Sequence, residues 1–210
     1  MKKILCIFIV LIVLLASAGY VGVNGGQNTG TGVDNNTVQS NNDDKHHVLV
    51  AVFSATGNTK RIADSAARIL NADLYVIVPE VPYNEEDISY STESRAIREQ
   101  SDPTVRPAIN GSVPNPDKYD TILIGYPIWY GQAPRIICTF LENNDLNGKS
   151  LAEFCTSDSS GIEESLEYLH TLVPKNVKWL DSRRFPAEAS GDDIRGWLEG
   201  MGLTAATGAE

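Results

Sequence analysis

Cysteine and histidine are scarce in this chain of 210 residues. It has three of each, and none falls into a C-x-x-C pair or into the spacing of a metal site. The sequence therefore gives no support for a thioredoxin-like redox pair or a structural metal centre. Cys138 and Cys155 lie beyond the N-terminal hydrophobic run and either pair or stay free, and two buried free thiols are the favoured alternative.

Basic residues are also few. The 17 Lys and Arg residues stand against 27 Asp and Glu residues, which gives a formal net charge of -10 and a pI near 4.7. This sign opposes binding to a nucleic-acid backbone, so no nucleic acid is expected as a partner. The hydrophobic share of 42% is ordinary for a globular chain, and the length fits one domain with appendages.

The N-terminus carries the one long hydrophobic run. Lys2 and Lys3 precede an apolar stretch over residues 4–15, and residues 16–18 read Ala-Ser-Ala. This pattern is typical of a secretory signal peptide over residues 1–18, which predicts cleavage and export. The alternative is an uncleaved membrane anchor that continues to residue 23, because about 20 apolar residues span a bilayer. In either case the part after residue 18, with 15 basic and 27 acidic residues, carries -12 outside the cytoplasm.

The remainder divides into a linker, a folded domain and a tail. Residues 19–46 are polar and rich in Gly and Asn, which is typical of a flexible linker. Residues 47–202 alternate apolar runs with amphipathic stretches, and residues 203–210 form a C-terminal tail. The pattern predicts strands over residues 48–53, 74–78, 121–126, 150–155 and 177–180, and helices over residues 58–70, 92–100, 133–141, 162–172 and 192–200. This order predicts an α/β fold, a five-stranded parallel sheet with helices on both faces. The polar segment 82–116 receives no role.

Ligands of such sheets bind beyond the carboxyl ends of the strands, so the loops after the strands are candidate sites. The first, over residues 54–59, reads Ser-Ala-Thr-Gly-Asn-Thr and opens a helix. Its hydroxyls, its amide and the free N–H groups of the helix start can donate to a phosphate. It lacks a cation and both nucleotide fingerprints, G-x-x-x-x-G-K-[ST] and G-x-G-x-x-G, which favours one terminal phosphate. The alternative is a simple turn with Asn58 or Thr59 as the N-cap.

Two further loops fall at the same predicted edge of the sheet. Residues 127–131 follow the third strand and include Trp129 and Tyr130. Adjacent aromatic side chains can form a platform for a flat ring, although they can equally just cover the edge of a core. Residues 156–161 follow the fourth strand and are small and polar. Three such loops at one end of a sheet indicate a binding site more strongly than any one of them.

The three loops together resemble those of the flavodoxin-like family, which includes flavodoxins and FMN-dependent oxidoreductases. Residues 54–59 are similar to the phosphate loop of that family. Residues 125–131, followed by Ala133-Pro134-Arg135, resemble its ring loop, and residues 155–162 its third loop. The resemblance covers nearly all of residues 47–202 and implies a sheet of strand order 2-1-3-4-5 and an FMN cofactor.

The resemblance also implies which residues would bind FMN. The first loop would hold the phosphate, the second would line the isoalloxazine with Trp129 or Tyr130 stacked on it, and the third would border the pyrimidine side. The residues so implied are Ser54, Thr56, Gly57, Asn58, Thr59, Pro127, Ile128, Trp129, Tyr130, Gly131, Thr156, Ser157, Ser160 and Gly161. The chain departs from the family at Asp158-Ser159, where glycines are usual, and this departure bears on the backbone of the third loop.

These observations lead to three functional hypotheses. The first is an exported flavodoxin-like electron carrier of low potential, with a basic redox protein or a small acceptor as its partner and membrane contact only through the N-terminal segment. The alternative is an NAD(P)H-dependent FMN oxidoreductase of quinones or nitro compounds, with Arg95, Arg98 and Arg135 as candidate contacts for the second nucleotide. The third is a binding module of the same shape without FMN.

Overall fold

The computed structural model of the chain describes residues 47–205, so the predicted signal segment and linker lie outside the described residues. Strands and helices alternate along this part. They are β1 (Val48–Val52), α1 (Asn58–Leu70), β2 (Asp73–Val76), α2 (Arg95–Ser101), β3 (Thr121–Pro127), α3 (Arg135–Asn143), β4 (Ser150–Thr156), α4 (Glu163–Leu169), β5 (Lys178–Phe185) and α5 (Gly191–Gly200). Within residues 47–205, no helix combines the length and the apolar character that crossing a bilayer requires.

The five strands form one parallel sheet in the order β2-β1-β3-β4-β5. This confirms the predicted fold class and strand order. The chain leaves β1 for β2 on one side and returns to β3 on the other side of β1, so the strand order reverses between β1 and β3. The carboxyl ends of β1, β3 and β4 meet at one edge of the sheet, where ligands of such folds bind.

The core lies on both faces of the sheet. All five residues of β1 are buried, as expected for a continuous apolar strand that is covered on both sides. Val50 and Val52 pack with the helix pair α1 and α5, whereas Leu49 and Ala51 pack with α3 and α4. Each of these four helices therefore presents an apolar face to the sheet and leaves its polar face to solvent.

Most predicted elements agree with the structure to within three residues at either end, and the fifth strand differs most. The fifth strand was expected over residues 177–180, but β5 runs to Phe185 and includes the polar sequence Asp181-Ser182-Arg183-Arg184. It pairs with β4 through an irregular register, since Leu151 lies opposite Trp179 and Glu153 opposite Ser182. The extra residue on this edge strand shifts the alternation of side chains, which removes the sequence signal.

The helix expected over residues 92–100 begins later, at Arg95. The side chain of Ser94 caps it by accepting a hydrogen bond from the Ile97 N–H at 3.4 Å. A serine in this place satisfies one of the free donors at the helix start and so sets the boundary. The helix ends at Ser101.

Candidate functional site

A cavity of about 410 Å³ opens at the carboxyl edge of the sheet. Residues from all three predicted loops line it, together with residues from two segments that were not predicted. The lining residues are Thr56, Asn58, Ile88, Tyr90, Ala96, Pro127, Ile128, Trp129, Tyr130, Gly131, Thr156, Ser157, Asp158, Ser159, Ser160 and Ala187. Four residues named from the sequence, Ser54, Gly57, Thr59 and Gly161, lie outside this lining.

The turn after β1 leaves the start of α1 without a side-chain cap. Gly57 is the N-cap residue, with φ of 92° in the left-handed region, and no side chain bonds to the first turn of the helix. The Ser54 hydroxyl instead accepts a hydrogen bond from the Gly57 N–H at 3.1 Å. The alternative in which Asn58 or Thr59 caps the helix is therefore wrong. The helix has 13 residues, and the N–H groups of its first turn remain available to an anion beside Thr56 and Asn58.

A buried pair of hydroxyls joins the first and third loops. The Thr59 Oγ1 lies 2.7 Å from the Thr156 Oγ1, and the two residues are only 1% and 7% exposed. Thr59 therefore points into the protein and not into the cavity. Because one hydroxyl must donate to the other, this bond fixes the distance between the start of α1 and the end of β4 at the floor of the cavity.

The loop after β3 is a tight two-residue turn. Trp129 and Gln132 exchange backbone hydrogen bonds of 2.8 and 3.1 Å, and Tyr130 and Gly131 between them have φ of 49° and 87°. Positive φ at both central residues defines a type I′ turn, in which glycine is favoured. The side-chain amide of Gln100 in α2 donates to the Trp129 carbonyl at 2.9 Å and to the carbonyl of Ala133, just after the turn, at 3.0 Å, which holds the turn in place.

The two aromatic residues of this turn have different surroundings. The Trp129 ring packs edge-to-face against Phe53, with centroids 5.4 Å apart, and against Tyr83 at 5.0 Å. It belongs to the core as well as to the cavity wall. Tyr130 is 41% exposed and donates its hydroxyl to the Ser89 carbonyl at 2.9 Å. The sequence left open whether these aromatic residues form a platform for a ring or cover the edge of the core, and the structure shows that Trp129 packs in the core.

The third loop is closed on itself and tied to β5. The Ser157 hydroxyl accepts a hydrogen bond from the Ser160 N–H at 3.0 Å, and the Arg184 guanidinium donates to the carbonyls of Ser157 and Asp158 at 3.1 and 3.4 Å. Neither Asp158 nor Ser159 is among the positive-φ residues of the described chain. Glycine is therefore not required at these two positions, and the departure from the family pattern carries no backbone strain. Asp158 is the one charged residue in the cavity lining.

The arginines suggested for a second nucleotide are engaged elsewhere. Arg135 is only 5% exposed and donates to the carbonyls of Glu99 and Gln100 at the end of α2. Arg95 pairs with Glu99 at 2.6 Å and covers the Tyr83 ring. Arg98 donates to a backbone carbonyl of the preceding loop. None of the three lines the cavity.

Two ionisable groups of β4, Glu153 and Cys155, are buried, and of these the sequence analysis did not identify Glu153. Glu153 in the middle of β4 is fully buried, and one of its oxygens lies 3.3 Å from Nε2 of His170. Burial raises the pKa of the Glu153 carboxyl, and the hydrogen bond from His170 acts in the opposite direction. Burial also raises the pKa of the Cys155 thiol to about 12. Cys155 and Cys138 are both free and buried, as the favoured alternative predicted.

The residues missed by the sequence analysis come from segments beyond the three loops. Ile88, Tyr90 and Ala96 belong to the polar segment after β2, and Ala187 follows β5. A signal for the first group existed: the segment leaves the sheet at the same edge as the other loops, and Tyr90 is an aromatic residue in polar sequence. The guanidinium of Arg61 in α1 holds the second segment by donating to the carbonyls of Ala187 and Ala189.

Known proteins share this fold. A presumed flavoprotein from Bacteroides eggerthii is 39% identical, with a TM-score of 0.70 over 75% of this chain and 98% of that one. A presumed flavoprotein from Bacteroides uniformis is 38% identical, with a TM-score of 0.70 over 73% of this chain and 98% of that one. A flavoprotein from Lactobacillus acidophilus, solved in complex with FMN, is 19% identical over 72% of this chain and 98% of that one. Its TM-score of 0.55 shows a common fold.

No curated protein is significantly similar to the chain. The flavodoxin family model, by contrast, matches residues 47–201, which include every strand and helix of the sheet and all three loops. The chain therefore belongs to the flavodoxin family.

Proposed function

We propose that this protein binds FMN in the cavity and works as an electron-transfer flavoprotein outside the cytoplasm. The observation that carries the proposal is the convergence of three loops on one cavity whose lining includes residues at an uncapped helix start and aromatic side chains. A cavity of about 410 Å³ lies in the range of small-molecule sites. When bound, the flavin supplies one- and two-electron redox chemistry, and the protein supplies position and field.

The phosphate is assigned to the turn between β1 and α1. The first-turn N–H groups of α1 and the exposed Thr56 and Asn58 offer neutral donors, and the positive end of the helix dipole favours an anion there. No Lys or Arg belongs to the cavity lining. A neutral cradle suits one phosphate monoester better than a triphosphate, whose charge needs a cation.

The ring is assigned to the part of the cavity between the type I′ turn and the third loop. Trp129 and Tyr130 supply apolar surface, and the closed turn 157–160 borders the other side. Asp158 places a carboxylate in this wall. This carboxylate would disfavour added negative charge on a bound flavin, so we expect the bound flavin to have a low reduction potential.

Burial and ion pairing of the candidate arginines favour electron transfer over NAD(P)H oxidation as the function. Arg135 is buried and Arg95 is paired with Glu99, so neither is free to hold the phosphates of a second nucleotide. The part of the chain after residue 18 carries -12, which attracts basic redox proteins in a salt-dependent way. The hydrophobic run over residues 4–15 supports export.

The decisive experiment is a titration of the flavin-free protein with FMN and, separately, with riboflavin, followed by quenching of flavin fluorescence. We expect saturable binding of both, with FMN tighter by about tenfold or more, because charge-assisted hydrogen bonds to the phosphate contribute about 1.5–3 kcal/mol. Thr56→Ala should weaken FMN and leave riboflavin unchanged, and the exposed Thr92→Ala serves as a control outside the cavity. Absence of quenching with either flavin would refute the proposal and favour a binding module without FMN.

A second measurement separates the carrier from the reductase. The FMN-loaded protein is mixed with NADPH in the absence of oxygen, and the yellow colour is followed. We expect no rapid bleaching by NADPH and full bleaching by dithionite. Rapid bleaching by NADPH would support the reductase. Immunodetection in cytoplasmic and extracytoplasmic fractions tests export, and retention in the cytoplasm would contradict that part of the proposal.

A further inference from the structure

The segment between β2 and β3 brings an unsupported aromatic side chain to the mouth of the cavity. Tyr90 lines the cavity and is 94% exposed, the most exposed of the large hydrophobic side chains in the described part of the chain. A large aromatic side chain so exposed beside a concave site is unusual, since aromatic rings normally bury most of their area.

Hydrogen bonds to Tyr130 hold the backbone around Tyr90 in place. The carbonyl of the neighbouring Ser89 accepts a hydrogen bond from the Tyr130 hydroxyl at 2.9 Å, and the Ser94 hydroxyl lies 3.3 Å from that Tyr130 hydroxyl. Ile88 on one side of Tyr90 and Ala96 beyond it both line the cavity. Residues 88–96 therefore form one side of the cavity, and Tyr90 belongs to that side.

The ring of Tyr90 is already oriented by a neighbour. It packs edge-to-face against Tyr130, with centroids 6.4 Å apart and an interplanar angle of 71°. Trp129, in contrast, already contacts Phe53 and Tyr83 in the core. Of the aromatic residues that line the cavity, Tyr90 is the most exposed. A flat ligand at the mouth of the cavity would therefore cover the Tyr90 ring without displacing other contacts of that ring.

We propose that Tyr90 is a binding residue for the flavin ring and, with Tyr130, forms the outer wall of the ring site. This inference rests on the proposed function and assigns a ring contact to the segment between β2 and β3, outside the three loops that follow β1, β3 and β4. The contact acts on the aromatic ring alone. Tyr90 therefore contributes equally to the binding of FMN and of riboflavin, in contrast to the residues of the phosphate turn.

The test compares Tyr90→Ala, Tyr90→Phe and wild type in the same fluorescence titrations of the full-length flavin-free protein. We expect Tyr90→Ala to raise the Kd about tenfold for FMN and by the same factor for riboflavin, since an aromatic contact is worth about 1.4 kcal/mol with the area it covers. Tyr90→Phe keeps the ring and should bind like wild type. Val81→Ala, which removes another exposed apolar side chain outside the cavity, is the matched control and should have no effect.

The outcomes are distinct from those of the proposed function. If wild type binds neither flavin, the proposed function fails. If wild type binds both and Tyr90→Ala binds them as tightly, the proposed function stands and the role of Tyr90 is refuted. A loss confined to FMN would also refute it, because the contact would then depend on the phosphate. Urea unfolding midpoints equal for wild type and Tyr90→Ala are expected, since a side chain that is 94% exposed contributes little to folding.

Discussion

Gly125 in β3 permits close packing against a phenylalanine of the next strand, and its replacement by alanine tests how tightly the sheet is packed behind the site. Gly125 lies opposite Phe154 in the register of β3 and β4. A Cβ atom on Gly125 would lie 2.2 Å from Cζ, 2.5 Å from Cε2 and 2.9 Å from Cε1 of that ring. Distances this short require the ring or the strand to move.

The ring has little room to move. Phe154 is fully buried and packs edge-to-face against Trp197 and Phe185, with centroids 5.8 and 6.4 Å away. Alanine should stabilise a strand by about 0.5–1 kcal/mol relative to glycine through backbone entropy. Overpacking a close-packed core costs about 1–3 kcal/mol, and the approach to three ring atoms at once favours the upper part of that range. The clash therefore dominates, and we expect a net loss of about 2 kcal/mol in the free energy of unfolding.

Urea unfolding measures this loss as a lower midpoint at unchanged slope. Gly196→Ala is the matched control, since Gly196 lies inside α5 and a Cβ added there would have no neighbouring atom within 4 Å, so alanine should stabilise by about 0.5–1 kcal/mol. In the Phe154→Leu background, Gly125→Ala should cost less than in wild type, because the ring it strikes is gone. A Gly125→Ala protein as stable as wild type, or a cost unchanged by Phe154→Leu, would refute the reasoning.

Three further predictions concern pH, backbone geometry and capping. The pKa of Glu153 is raised in the folded protein, so its contribution to stability is complete below about pH 4.5 and is lost as the pH rises through the folded-state pKa. Glu153→Gln should therefore reduce the fall of the urea midpoint with rising pH. An unchanged pH profile would contradict this. Gly57→Ala should lower the free energy of unfolding by about 1 kcal/mol, because φ is positive at this residue and nothing crowds an added Cβ, and Gly57→Asn should lower it less. Equal urea midpoints for the two variants would show that the left-handed conformation carries no such cost. Ser190→Ala removes the capping box with Asp193 and should lower the unfolding free energy by about 1 kcal/mol in thermal or urea unfolding, and no change would mean that water replaces the cap.

Several parts of the site were predictable because they follow from short-range sequence. The apolar run of β1, the glycine at the turn and the amphipathic pattern of α1 are contiguous, and each implies its structure locally. When strands and helices alternate, right-handed crossovers make neighbouring strands parallel, so the strands end at the same edge of the sheet. This places the three loops together. The identity of the cavity loops did not require contacts between distant residues.

Other parts depend on contacts that sequence pattern does not encode. The extent of β5 comes from backbone pairing with β4 across an irregular register, and polar side chains at a sheet edge leave no periodic signal. Gln100 clamps the turn at Trp129, although 29 residues separate them, and Arg184 holds a loop 27 residues earlier in the chain. A buried carboxylate such as Glu153 is recognisable only once its surroundings are known.

The sequence by itself determined the alternation of strands and helices and the chemistry of the three loops, because hydrophobic periodicity and turn residues act over a few neighbouring positions. The tertiary structure alone decided that Thr59 turns inward to meet Thr156, that Arg135 is buried, and that Tyr90 reaches the cavity mouth. These outcomes depend on which distant segments pack together, and packing is a property of the whole core and not of any local stretch.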